Sequence, residues 1–250
     1  MIERRIDITT AAGRMSTFVC HPERGGPHPV IQFFMDAPGI REELRDMARR
    51  LAAAGYYVLL PNLYYRSGVE ELGPFVGDPA ARERIFGYMR TLTIPLVMDD
   101  ADALLGHADN DAAASSGPAG CVGYCMSGQF AVAAAARHPA RIAAAASIYG
   151  TRLVTDQPDS PHLSARQAKA ALYFGCAEID EYAPLEMIER LRESLRDGGV
   201  VAEVEIYPGV HHGFAFPQRP AYDKAAAERH WERLFDLFGR TLRDQPSRQR

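Results

Sequence analysis

No segment of this chain stays apolar long enough to cross a bilayer, and no run carries one sign of charge. The hydrophobic stretches break well short of the ~20 residues a membrane helix needs. The opening residues, Met1-Ile2-Glu3-Arg4-Arg5-Ile6-Asp7, are polar and lack the apolar core of a secretion signal. Net charge is only −4, and no basic patch is interleaved with aromatics, which argues against nucleic acid as a partner. Cysteine is sparse. The four present, Cys20, Cys121, Cys125 and Cys176, show neither C-x-x-C spacing nor the density of a disulfide scaffold. A reduced, cytoplasmic protein is expected. No H-E-x-x-H occurs, so neither metal nor other cofactor is implied. Gly120-x-x-Gly123 falls short of a dinucleotide-binding glycine pattern and sits mid-chain.

What is present is a nucleophile in a distinctive setting. The apolar run Ala119 to Val122 leads into Gly123-Tyr124-Cys125-Met126-Ser127-Gly128, and an alanine-rich stretch from Gln129 to Arg137 follows. Strand, tight turn and helix, with small-x-nucleophile-x-small at the turn, is the pattern of a nucleophile elbow. The small flanks have a steric cause, because the residues two before and two after a strained apex nearly touch. Ser127 is a poor alternative nucleophile, since its own flanks would be Cys125 and the bulky Gln129.

The remaining pattern suits one α/β domain over residues 1–243, with 244–250 as a tail. A hairpin is expected over Arg4–Thr9 and Arg14–Cys20. Strands are expected at Val30–Met35, Tyr56–Leu60, Ile142–Tyr149, Ala170–Phe174 and Ala202–Tyr207. Helices are expected at Ile40–Ala54, Ala80–Met89, Pro95–His107, Pro184–Asp197 and Ala221–Leu242, and loops over Pro61–Pro79 and Pro158–Lys169. Strands alternating with helices imply a mostly parallel sheet covered on both faces.

A cysteine nucleophile needs a base and a group to orient it. In open α/β sheets such groups lie just past the carboxyl ends of strands. After Ala170–Phe174 the candidates are Glu178, Asp180 and Glu181, of which Asp180 best fits the loop before a proline-started helix. After Ala202–Tyr207 come His211 and His212, and His212, preceding Gly213-Phe214, is favoured as base. The other six histidines, His21, His28, His107, His138, His162 and His230, are expected at the surface. Two backbone N–H groups should hold an oxyanion: Met126 in the elbow and, after the Val30–Met35 strand, Ala37. Tyr64, Tyr65 and Arg66 suit either pocket lining or loop anchoring, and Phe214 and Phe216 either pocket wall or core.

With these residues in place the sequence resembles the dienelactone hydrolase family (carboxymethylenebutenolidase-like, α/β-hydrolase superfamily) from about Val30 to the C-terminal helix. The likeness rests on Gly-Tyr-Cys-Met-Ser-Gly, Asp180-x-x-x-Pro184, His212-Gly-Phe-Ala and Leu60-Pro-Asn-Leu-Tyr64. It implies an α/β-hydrolase fold, a Cys125-His212-Asp180 triad and hydrolysis of a small-molecule lactone or ester, dienelactone to maleylacetate being the type reaction. It also implies a thiol-contacting acid at Asp36, where the family typically has Glu, and substrate contacts from Arg84 and Tyr88. Phe216 stands where the type enzyme has a carboxylate-binding Arg, which leaves Arg219 as the nearby cation. Ser127 stands where the family more often has Gly. Two other functions remain open: cleavage of another acyl bond at the same site, and a non-catalytic binding protein with a buried cysteine.

Overall fold

A computed structural model describes residues 1–73 and 77–243. The expected tail and part of the expected loop, residues 74–76, lie outside the described residues. Eight strands form one sheet in the order β1-β2-β4-β3-β5-β6-β7-β8. β1 (Ile2–Thr10) and β2 (Gly13–His21) make the antiparallel hairpin, and β2 pairs antiparallel with β4 (Tyr57–Pro61). From β4 through β3 (Val30–Phe34), β5 (Ala119–Tyr124), β6 (Ile142–Ile148) and β7 (Ala171–Ile179) to β8 (Ala202–His211), all pairs are parallel.

β3, β4 and β5 are buried at every residue, as strands covered on both faces must be. β5 shows how the cover is divided. Successive side chains point to opposite faces. A side chain at Gly120 would lie 2.8 Å from Phe238, whereas the next residue, Cys121, directs its thiol to the Ala131 carbonyl at 3.2 Å. α7 (Lys224–Leu242) and α4 (Gly128–Arg137) therefore cover opposite faces of the central strand. α1 (Glu42–Ala53) packs Leu44, Met47, Ala48 and Leu51 inward, and Gly55 follows it with φ of 101°, where an L side chain would be strained. α2 (Pro79–Met89) and α3 (Ile94–Ala108) come next in the chain and α6 (Leu185–Asp197) lies between β7 and β8.

Several expectations need correction. Pro158–Lys169 is not all loop, because α5 (Pro161–Ser164) and a 3₁₀ turn (Ala165–Gln167) lie within it, started by Pro161 at the first helical position. β7 and β8 run past their apolar stretches, to Ile179 and His211, pairing across a register shift. β8 is an edge strand, which is why it accommodates Pro208. His21, His28 and His230 are buried rather than superficial. His230 contacts the Tyr124 hydroxyl at 3.1 Å, and burial pushes its pKa down to about 3, so the ring is neutral.

Candidate active site

Cys125 sits at the carboxyl end of central β5 with φ of 55°, the left-handed region that a non-glycine residue seldom occupies. A Cβ on Gly123 would come within 2.0 Å of the Ser127 carbonyl oxygen, which is the close approach expected of the small flanks. Ser127 has a use of its own, since its hydroxyl donates to the Met35 carbonyl and ties the elbow to the end of the β3 segment. The elbow is held from the other side by the Thr151 N–H, which donates to the Cys125 carbonyl at 3.1 Å.

The structure brings Asp180 and His212 together. His212 Nδ1 donates to Asp180 Oδ2 at 2.7 Å, and Asp180 Oδ1 accepts the N–H groups of Tyr182 (2.8 Å) and Ala183 (3.1 Å). The carboxylate is thus fixed by its own turn before it orients the imidazole. Glu178 instead accepts from Gly209 N at 2.7 Å, Glu181 is exposed, and His211 pairs in β8 beside Ile179. The His212 ring is gripped edge-on by Tyr149 and Tyr182, each with ring centroids 5.0 Å away.

Nε2 of His212 is buried without a hydrogen-bond partner, so its contact with the thiol is not a closed hydrogen bond here. Catalytic hydrogen bonds often tighten only when substrate is bound. Burial alone would lower the imidazole's pKa, but the Cys125 sulfur and Asp180 outweigh it and raise it to about 10. Burial pushes Cys20 and Cys176 up to about 12 and Cys121 further, so they are inert.

Several expected site residues lie elsewhere. The fully buried Asp36 carboxylate is held by Arg41 (2.6 and 3.2 Å) and by Arg219, and its hydrogen bonds go to those guanidiniums rather than to the thiol. Burial would push this carboxyl up, but Arg41 and then Arg219 hold it below the ordinary carboxylate range. Phe216 is not a cleft residue. It is wholly buried, with Arg41 and Arg219 stacked over its ring at 4.9 and 5.2 Å, so the residue that replaces an expected arginine supports another one. Phe214 is core as well. Arg66 points away from the cleft, to Asp100 at 2.8 Å, and serves as a loop anchor. Arg84 is exposed on the outer side of α2. Tyr88 packs on Tyr64 (5.7 Å between centroids), and Tyr64 is buried, its hydroxyl donating to the Ala37 carbonyl at 2.7 Å.

Cys125, His212, Ala37 and Arg219 line one cleft of about 540 Å³, together with Arg82 and Arg152, which sequence reasoning did not select. Arg152, with φ of 57°, follows β6, and the rule that sites gather at the carboxyl ends of strands could have flagged it. Arg82 lies one helical turn before Phe86, which faces the same cleft. Among the described residues no group of His, Cys, Asp and Glu is placed to hold a metal ion, and no helix is long and apolar enough to cross a membrane.

A mostly parallel sheet with a strained residue at a strand-to-helix elbow, followed along the chain by an acid–histidine pair, defines an α/β-hydrolase. Residues 15–242 match the dienelactone hydrolase family. The chain belongs to that family, and is a carboxylic ester or lactone hydrolase. It is 29% identical over 246 residues to a protein of Methylorubrum extorquens named "Putative carboxymethylenebutenolidase", covering 95% of this chain and 81% of that one. An Escherichia coli K12 protein of the same name is 30% identical over 243 residues, covering 92% of this chain and 84% of its own. Among solved structures, a Klebsiella pneumoniae protein named "Putative Dienelactone Hydrolase" superposes with a TM-score of 0.84 at 24% identity, over 95% of this chain and 98% of that one, a likeness of fold.

Proposed function

We propose that this protein hydrolyses a lactone or carboxylic ester through Cys125, with His212 moving the protons and Asp180 orienting His212. The observation that carries the reading is the convergence in one cleft of a strained elbow cysteine and an imidazole bound to a buried carboxylate at 2.7 Å.

The steps follow from the charges. His212 takes the Cys125 thiol proton, the sulfur attacks the carbonyl carbon, a C–S bond forms, and the carbonyl electrons move to oxygen. The N–H groups of Met126 and Ala37 receive that oxyanion. As the C–O bond breaks, the imidazolium gives its proton to the leaving oxygen. Sulfur is then neutral in the acyl-thioester. The charge that helped raise His212 is gone, so the imidazole can accept a proton from water. That water attacks the thioester, the C–S bond breaks, and thiolate and imidazolium are restored. Asp180 holds the tautomer throughout without being protonated.

Arg219, clamped by Asp36 and laid on Phe216 at the cleft wall, supports recognition of a substrate carboxylate. The free thiols favour a reducing compartment, in keeping with a cytoplasmic location. Dienelactone is the test substrate that the family suggests. Loss of its absorbance with wild type but not with Cys125→Ala is the expected result. Turnover that survives the substitution excludes this mechanism.

A further inference from the structure

We infer that the cleft binds a substrate whose acyl part is an apolar chain of about hexanoyl length, laid along α2 away from His212; this rests on the proposed Cys125 chemistry. The geometry runs from one end of α2 to the other. At its N-terminal end Arg82 donates to the Tyr182 hydroxyl at 2.6 Å, and Tyr182 stands edge-on to His212 at 5.0 Å. At its C-terminal end Tyr88 packs on Tyr64, whose hydroxyl holds the Ala37 carbonyl. The helix therefore spans the cleft from the base to the oxyanion turn.

The two ends differ in chemistry. His212 must protonate the leaving oxygen, so the alcohol part lies on the polar side, beside Tyr182 and Arg82. The acyl part then points toward Ile85 and Phe86 and, one turn further along the helix, Met89, all of which line the cleft. Ile85 is buried, while Phe86 and Met89 remain partly exposed. From Arg82 to Met89 the rise is about 10 Å at 1.5 Å per residue. The cleft volume of about 540 Å³ falls in the range of roughly 300–1,000 Å³ that accommodates ligands of drug size. A small monocyclic lactone leaves most of this wall uncovered.

The test uses p-nitrophenyl acetate, butanoate and hexanoate with the full chain, reading p-nitrophenolate release. Burial of each added methylene should raise kcat/KM about three- to fourfold. The hexanoate-to-acetate ratio should exceed ~30 in wild type and fall at least ~tenfold in both Phe86→Ala and Met89→Gln. Because the readout is a ratio within one preparation, partial misfolding of a variant cancels. Turnover that depends on Cys125 with a wild-type ratio near one, or a ratio unchanged in both variants, overturns this inference alone. Absence of any turnover, or turnover surviving Cys125→Ala, removes the proposed chemistry and this inference with it.

Discussion

The Tyr64 hydroxyl donates to the Ala37 carbonyl at 2.7 Å and lies 3.6 Å from the Met126 sulfur, so one buried phenol touches both residues whose N–H groups are to receive the oxyanion. Its ring also packs on the turn, since a Cβ on Gly39 would meet it at 3.4 Å. Tyr64→Phe keeps the ring and removes the donor, leaving the Ala37 carbonyl unsatisfied. Loss of a whole oxyanion donor costs about 10²–10³ in kcat, and loosening one should cost about tenfold. Steady-state kinetics should show kcat falling about tenfold with KM changed less than about threefold. Equal effects on both would mean that Tyr64 merely shapes the pocket.

Asp180→Asn should leave the fold intact, because the amide oxygen can still accept from Tyr182 and Ala183. It removes the charge that orients His212, and kcat/KM should fall by about 10²–10⁴. A loss under about fivefold would show that another acid orients the imidazole.

Asp36→Asn separates two roles for that acid. Its carboxylate neutralises Arg41 and Arg219, and breaking a buried pair of this kind costs about 3–5 kcal/mol. Urea unfolding should show a loss of that order. Alkylation of Cys125 by iodoacetamide should continue at near the wild-type rate, because the carboxylate bonds to guanidiniums and not to sulfur. A stable variant with a silenced thiol would restore Asp36 to the thiol.

The His212 imidazole should remain protonated through neutral pH and titrate near 10, as read by NMR of the ring. The folded value lies above the ordinary 6.5. The contribution of this group to folding is therefore complete below about pH 6.5 and is lost as pH rises through about 10. Cys125→Ala removes the sulfur and should move the ring titration downward. An unchanged titration would mean that the sulfur does not charge the imidazole.

Much of this arrangement was readable from sequence because it is local. The elbow is a contiguous strand, turn and helix, and its glycine and serine flanks report the steric demand at Cys125 directly. Asp180 and His212, which pair at 2.7 Å, were chosen by chain order, since each was expected after a strand of the same parallel sheet. The Asp36 clamp was not readable, because it joins residues 183 positions apart and leaves no periodic trace. Arg84 and Tyr88 came from the family resemblance, whereas the cleft is lined from the same helix by Arg82, Phe86 and Met89. The apolar spacing of Ile85, Phe86 and Met89 marks the inward face, and Arg82 shares it. Arg66 and Phe216 were left open between cleft and anchor or core because sequence does not show which way a loop side chain turns once a buried Asp100 or an aromatic cluster competes for it.

The central claim is that an acyl group passes through Cys125. Protein mixed with p-nitrophenyl hexanoate, acid-quenched within the first turnovers and analysed by intact and peptide mass, tests it directly. The account predicts a hexanoyl adduct on the peptide carrying Cys125, which decays on the timescale of turnover and is absent from Cys125→Ala together with activity. Full turnover by Cys125→Ala, or an adduct on a different residue, would contradict it.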